Sequence, residues 1–574
     1  MTRRFSSLLA LVLALTLLTG CSMEQFTAFL TGSEPAETQE DQEASDAPVE
    51  TPADEMASET VLTEAEAPEV LRLPYQSAYG LNPFVSESFA NRAVMSLVYE
   101  PLFQVNGSYV AEPVLAESAA VSEDGKTTTI TLRSGVVFHS GAAMTAQDVV
   151  YSYTQARDSY YYDSRFVHFS SVTAPDDKTV VITTDTAMES VALLLDFPIV
   201  RSGTADVPQT ESNQTEDADA AGTEPASTVT GKDLIPDGTG PFDFQAPSTL
   251  TRFDRWWGGD TLALPYDEAE VVLCDTATDI RDHFEYGSVN LVYTDPNASA
   301  YATFHNETDY ELWSCPTTVM QYLGFNLNSD LYSNAALRAA LTYGIDREAL
   351  VSQALGGFAT AVSLPAVPGS AYYDAGLAAG FDYDPAQFQA QLDKAQIQDY
   401  NDDGKLDIYF EGYAIPVGGK LIVNAGSSQR VEAANLIADS LNELGFSITV
   451  EAMDSSDFRE ALRYGNYDLY YGEVRLSPNF DLGCFFREHS LGSYGGMTNS
   501  TMLTLCAAML ENSGNAYDLH KRVLEQGYLC PLLFKTYALY TARGATDGLS
   551  PAVDWPLGQL SRTSTPEQTD TPVE

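Results

Sequence analysis

The chain has 574 residues, 44% of them hydrophobic and 19% charged, enough to bury more than one core and too apolar for a disordered polymer. Its 29 Lys and Arg against 81 Asp and Glu give a formal net charge of -52, which repels phosphate backbones and acidic headgroups and argues against nucleic acid as a partner. The acid is uneven: Ser22 to Val70 carries 14 acids and no base, and Thr204 to Thr230 carries 6 acids and no base. Both stretches, and the tail from residue 561 to 574, read as solvated disordered segments.

At the N-terminus, Arg3 and Arg4 precede an apolar run from Leu8 to Leu18, shorter than the roughly 20 residues a membrane-spanning helix needs. Residues 1–20 are expected to be a signal peptide. Leu18-Thr19-Gly20-Cys21 looks like a bacterial lipobox, so Cys21 is expected to carry a lipid, with residues 21–70 as an acidic tether. The alternative is an ordinary secretory signal that happens to precede a Cys. Anchoring through the lipid alone would place the body on the extracytoplasmic face of the cell membrane.

Ordered sequence is expected from Leu71. Thr127 to Leu132 and Thr179 to Thr183 alternate at period two and predict strands, and Thr145 caps a helix that opens at Ala146. Later the pattern becomes strand, helix, strand, helix, strand: Leu421–Asn424, Ser428–Leu444, Ser447–Ala452, Asp457–Tyr464 and Tyr467–Val474. The helix stripe is Val431, Ala434, Ile437, Leu441 and Leu444. Connections this short predict parallel strands with right-handed crossovers, and ligands in such sheets collect at the carboxyl ends of the strands.

Several blocks together carry a resemblance: SLVYEPLFQ at Ser96–Gln104, AEPVLAESA at Ala111–Ala119, the run Ser122–Thr154, DGTGPFD at Asp237–Asp243, QYLGFNLNS at Gln321–Ser329, Leu337–Val351 and Asp399–Ile408. In this order they resemble the extracellular solute-binding proteins that include the dipeptide, oligopeptide and nickel binders of ABC importers. The resemblance implies an α/β, two-lobed periplasmic-binding-protein-like fold with a hinge and an extra inserted subdomain in the first lobe. Lobe 1 would run over 71–313, with the subdomain at about 89–195 and an acidic loop at 204–230. Lobe 2 would run over 317–526, and 529–560 would return to lobe 1. The implied function is capture of a peptide-like or other small solute between the lobes and delivery to ABC permease subunits, by a monomer with no cofactor. A ligand-sensing receptor for a membrane signalling protein, or a surface enzyme on the same scaffold, is the alternative.

No catalytic constellation stands in the sequence: His139 and the other five His are isolated from one another, and no GxSxG, CxxC, P-loop or dinucleotide fingerprint occurs. No enzyme and no metal site is expected. Asp399, Asn401, Asp403, Gly404 and Asp407 have the spacing of the first nine positions of a calcium loop, but Phe410 stands at the twelfth, so an acidic turn is the preferred reading. Trp256-Trp257 and Tyr160-Tyr161-Tyr162 either stack a ligand or fill the core. By resemblance Phe84, Asn326 and Tyr494 face the cleft. Family members that bind free peptides often carry a motif like GWxADYPDP; laid on Gly472 to Phe480 it puts Glu473 at the Trp and Leu476 at the Asp that takes the peptide amine. In its place Arg475 is expected to grip an anionic group of the ligand; the alternative is an ion pair with Glu473 or Asp481. Cys315 and Cys530, placed by resemblance on the strands that link the lobes, either bridge or remain buried thiols, and the pairing of Cys274, Cys484 and Cys506 is open.

Overall fold

The computed structural model describes residues 68–205, 236–296, 304, 309–410, 412–490, 492–546, 549–558 and 560. The expected signal peptide, Cys21, the tether up to residue 67, nearly all of the acidic loop and the tail lie outside the described residues. Among the described residues no helix is long and apolar enough to cross a membrane.

Two lobes share one sheet. Its centre is an antiparallel pair of long strands, Tyr310–Phe325 and Leu529–Ala542, running from Tyr310 opposite Ala542 to Gly324 opposite Leu529. Sixteen extended residues reach roughly 50 Å, enough to cross from one lobe into the other. On the lobe 1 side Leu291–Thr294 pairs with Ala538 to Thr541, and on the lobe 2 side Leu469–Arg475 pairs with Val319 to Phe325. Between these attachments the register shifts at Pro316 to Met320, an irregularity that lets the pair twist.

Lobe 2 contains the parallel unit expected from the sequence. Leu469–Arg475, Gly418–Asn424 and Ser447–Met453 lie side by side in that order, joined by the helices Ser428–Glu443 and Ser455–Tyr464. Ser427 and Asp454 accept hydrogen bonds from the first-turn amides, and Gly465 ends the second helix at φ 70°, where a side chain would be strained. The buried stripe of the first helix is centred on Arg430, Ala433, Ala434, Ile437, Ala438 and Leu441. Leu444, expected on that stripe, is 45% exposed because it caps the helix after the stripe has turned away.

In lobe 1, Leu71–Tyr75, Glu268–Leu273, Thr249–Arg252 and Phe242–Gln245 form one sheet, and Ala116–Val121, Thr127–Leu132, Thr179–Thr184 and Phe169–Asp176 form an antiparallel second one. Ile130 and Leu132 are buried while Thr129 and Thr131 are exposed, the period-two pattern of a one-sided strand. Thr145 and Asp148 make a capping box at the helix Ala146–Arg157. The blocks that carry the resemblance meet here as framework. His139 Nδ1 accepts from the Gly238 amide (3.3 Å), the ring's other nitrogen lies 2.9 Å from the Gly240 carbonyl, and the Gly240 amide donates to Val98 (2.9 Å). Burial holds the His139 ring below its usual pKa. Glu100 accepts from both Trp256 and Trp257 indole nitrogens, which assigns that Trp pair to the core.

The five described cysteines are free thiols. Cys315 lies opposite Tyr537 and Cys530 opposite Leu323, near opposite ends of one ladder, so the bridge considered above is out of geometric reach. In the turn at Asp399, carboxylate and amide oxygens are spent on backbone: Asp399 accepts from Gly404 (2.8 Å), Asn401 from Asp403 (3.0 Å) and Asp403 from Lys405 (2.9 Å). Among the described residues no group of three or more His, Cys, Asp or Glu is arranged to hold a metal ion.

The lobes also touch away from the shared sheet. The Glu189 amide donates to Leu510 (2.8 Å) and its carboxylate accepts from the Ser513 amide (2.7 Å). His168 sits between Asp185 of the subdomain (2.8 Å) and Asp481 of lobe 2 (3.3 Å), with Arg487 at 3.4 Å.

Two predictions follow from this packing. Gly324 lies opposite Tyr470 and Gly472 opposite Tyr322, and each ring covers the glycine across from it, with an added Cβ meeting the ring at 2.2 Å and 2.4 Å. Gly324→Ala is expected to destabilise the fold by about 1–3 kcal/mol, the usual cost of overpacking, measured by chemical denaturation; an unchanged midpoint refutes the contact. Burial and Arg487 oppose a charge on His168, but Asp481 and Asp185 outweigh them and raise its pKa in the folded chain. The stabilisation is therefore fully present below the unfolded value of about 6.5 and is lost as pH rises through the folded value. His168→Gln is expected to remove that component of the melting-temperature profile above about pH 6.5; an identical profile refutes the clasp.

Candidate functional site

Where the long strands pass between the lobes they carry a strip of charged and phenolic side chains. Its lobe 2 end starts from strand register: Gln321 stands opposite Glu473, and its amide donates to the Glu473 carboxylate (2.6 Å) while its carbonyl accepts from Tyr471 (2.6 Å). Arg430, delivered by the first turn of its helix, lies 3.8 Å from Glu473. Lys535, only 6% exposed on the second long strand, reaches Asp295 at 2.5 Å. Burial alone would push the Glu473 carboxyl up; Lys535, Arg430, Gln321 and Arg475 outweigh it and hold it below the ordinary value.

Arg475 ends its strand on the same edge. Its guanidinium donates to Asp554 at 2.5 Å and to the Tyr537 hydroxyl at 3.3 Å. Asp554 sits at φ 60° in a turn held to lobe 1 by the Val553 amide on the Val105 carbonyl (2.9 Å). The acid that Arg475 hydrogen-bonds is thus neither Glu473 nor Asp481 but Asp554, 79 residues away, while Glu473 still feels the charge of Arg475. Arg165 approaches Asp554 from below (3.3 Å) while gripping Asp196 with two bonds of 2.8 and 2.9 Å. Burial opposes ionisation of Asp554, and Arg475, Arg165 and Arg92 together hold its pKa below the usual carboxylate value.

Aromatic rings line the lobe 1 wall. The helix Phe89–Val98, capped by Ser88, presents Phe89 edge-on to Tyr537 (4.9 Å) and Tyr293 (5.4 Å), and places the Arg92 guanidinium 3.8 Å from the centre of the Tyr161 ring. A strip with both charge signs and several rings in reach can orient a polar solute and shield it from water.

Of the residues singled out from the sequence, Arg475 and Glu473 are both on this strip. Phe84 is 1% exposed; it lies edge-on to Tyr162 (6.3 Å), and its carbonyl accepts from Ser159, so it backs the Tyr160–Tyr162 wall. Asn326 and Tyr494 lie together elsewhere in lobe 2. The Asn326 amide donates to the Gly465 and Tyr467 carbonyls (3.2 and 3.0 Å), and Tyr494 stands edge-on to Tyr470 (6.1 Å). Sequence reasoning passed over Arg92, Lys535, Asp554, Gln321 and Tyr537. The available signal was a lone base inside an apolar run, as at Lys535 in the strand LCPLLFKTYALYTA.

Comparison with known proteins follows the same outline. Residues 110–491 match the family described as bacterial extracellular solute-binding proteins, family 5 Middle. The oligopeptide-binding protein AppA of Bacillus subtilis is 23% identical over 410 residues, 67% of this chain and 69% of that protein. The glutathione-binding protein GsiB of Salmonella typhi is 26% identical over 329 residues, and the match spans 56% of this chain and 60% of that protein. Among solved structures, the substrate-binding protein CtaP of Listeria monocytogenes superposes with a TM-score of 0.65 at 18% identity, covering 86% of this chain and 99% of that one. NikA of Brucella suis in complex with Fe(III)-EDTA gives 0.63 at 18% identity, covering 83% and 96%. These likenesses carry the two-lobed fold, and the matched stretch carries the family: the chain belongs to the bacterial extracellular solute-binding proteins, family 5.

Proposed function

We propose that this protein is the extracytoplasmic, lipid-anchored receptor of an ABC importer, and that it captures a peptide-like or other small solute in the strip described above and hands it to permease subunits. The observation that carries this reading is the convergence of Arg475 and Glu473 from lobe 2, Tyr537 and Lys535 from the linking strands, and Asp554 and Arg92 from lobe 1. A solute seated there touches both lobes at once, so its affinity is greater for the closed form and it shifts the population toward closure. No enzymatic step is assigned to these groups: the strip contains charged and phenolic side chains that bind and orient, without a nucleophile paired to a base.

Native purification of the chain followed by mass spectrometry of retained small molecules tests the receptor reading directly. A defined solute that also raises the melting temperature on addition is expected, and failure to retain or respond to any peptide, chelate or small acid refutes it. With that solute in hand, Arg475→Ala is expected to weaken binding by about 2–5 kcal/mol, the range for truncating one partner of a buried hydrogen-bonded charge pair. Calorimetric titration measures it, and an unchanged Kd in a folded variant removes Arg475 from the site. The anchor has its own test: Cys21→Ala is expected to leave the membrane fraction and lose incorporation of labelled palmitate, whereas normal labelling of the variant discards Cys21 as the lipid site.

A further inference from the structure

His168 stands where the subdomain of lobe 1 meets lobe 2, away from the shared sheet, with 16% of its side chain exposed. Its Nδ1 lies 2.8 Å from Asp185 on its own side, and its Nε2 lies 3.3 Å from Asp481 of lobe 2 and 3.4 Å from the Arg487 guanidinium. A neutral ring has one proton to share between these acids. With that proton on Nδ1, Asp185 is served, and the bare Nε2 accepts from Arg487 while turning a lone pair toward the Asp481 carboxylate. With it on Nε2, Asp185 meets the lone pair instead. Only the doubly protonated ring donates to both carboxylates at once, one from each lobe, and both bonds are then charge-assisted. Asp481 is fixed for this by the Gly483 amide, which donates to its other oxygen (2.8 Å).

The other groups at this joint do not compete for the proton. Burial pushes the Cys484 and Cys506 thiols beside Asp481 and Arg487 well up, so both stay protonated. The neighbouring cross-lobe bond from the Glu189 amide to the Leu510 carbonyl is backbone to backbone and carries no titrating proton. Building on the solute-binding reading of the cleft, we propose that His168 with Asp185, Asp481 and Arg487 is a proton-operated latch, so that closing the lobes on a solute takes up a proton at this joint. Burial and Arg487 disfavour the second proton on the ring, and Asp481 and Asp185 outweigh them while the lobes are together. Of the two acids Asp481 acts more strongly, and it is the one that leaves when the lobes part. Opening relieves burial, but it exchanges the charge-assisted bond to Asp481 for water and leaves the ring with Asp185, 60% exposed and screened by solvent. Proton and solute then raise each other's affinity by the same factor, so the hold on the solute loosens as pH rises.

The test uses the full chain and a casein hydrolysate as probe, over a pH series from about 5.5 to about 8.5 that spans the ordinary His value of about 6.5. Small-angle X-ray scattering reads the separation of the lobes, and mass spectrometry after gel filtration reads the peptides retained. The wild type is expected to grow more extended as pH rises and to retain peptides about threefold better at the acid end, whereas His168→Gln shows neither change. Glu100 and Asp163, which burial pushes up to about 7 and about 6, titrate in both proteins, so the difference between the two belongs to His168. Arg487→Gln distinguishes a latch from a structural contact: removal of the opposing cation is expected to move the midpoint of the change to higher pH. A wild type without pH response, a His168→Gln response equal to it, or a midpoint lowered by Arg487→Gln each overturns the latch while solute binding stands. A scattering response with no peptide retained at any pH overturns the peptide-like solute and keeps the latch as a device of the lobes. Should His168→Gln not fold, Asp481→Asn keeps the ring and an oxygen for the Gly483 amide but removes the lobe 2 charge; it is expected to lose the pH response, and an undiminished response overturns the latch.

Discussion

One antiparallel ladder governs the relation between the two halves of this protein. Tyr310–Phe325 and Leu529–Ala542 must satisfy their backbone hydrogen bonds with each other while each end joins a different lobe. A break in the ladder would expose buried amides, so the lobes cannot separate there; they can change their angle where the register shifts near Pro316 to Met320. Everything the cleft does is referred to that pivot. Lys535 and Tyr537 are on the linking strand itself, and Gln321 and Glu473 face each other in its register, so the polar strip is fixed by strand pairing instead of by loops.

The charge pattern reverses between outside and inside. The whole sequence carries a formal charge of -52, yet five of its 29 bases, Arg92, Arg165, Arg430, Arg475 and Lys535, gather at the cleft and its immediate support. Each is held by acids or phenols, and the acids hold their charge in spite of burial because the bases stand beside them. Buried ion pairs of this kind add little net stability compared with apolar packing, since desolvation consumes most of the attraction. At the proposed solute site their value would be in specificity: a solute without matching charge would leave them unpaired on closure.

The fold was legible to the extent that it is local. Period-two alternation marked Thr127–Leu132, the Thr145 cap marked its helix, and the strand-helix rhythm from residue 421 to 474 gave the parallel unit, though not its strand order. The cleft was legible only in part, because its pairings are long-range. Arg475 and Glu473 stood at the carboxyl end of a parallel strand, where position alone flags them. Nothing near Arg475 pointed to Asp554, which reaches it by a turn anchored on Val105, and nothing near Arg92 distinguished it from any other base on a helix. Asn326 and Tyr494 belong to blocks whose regularity serves backbone satisfaction and ring packing, so their signal concerned the framework of lobe 2.

Contacts between the lobes set how strongly any solute seated between them would act. Arg475 on Asp554, His168 between Asp185 and Asp481, and Glu189 on Ser513 each join the lobes. These contacts lower the free energy of the closed form, so a ligand needs less differential affinity to fill that state. The same contacts bury the cleft, and a solute must enter from a state in which they are broken. Affinity and access are therefore opposed through the same few ion pairs.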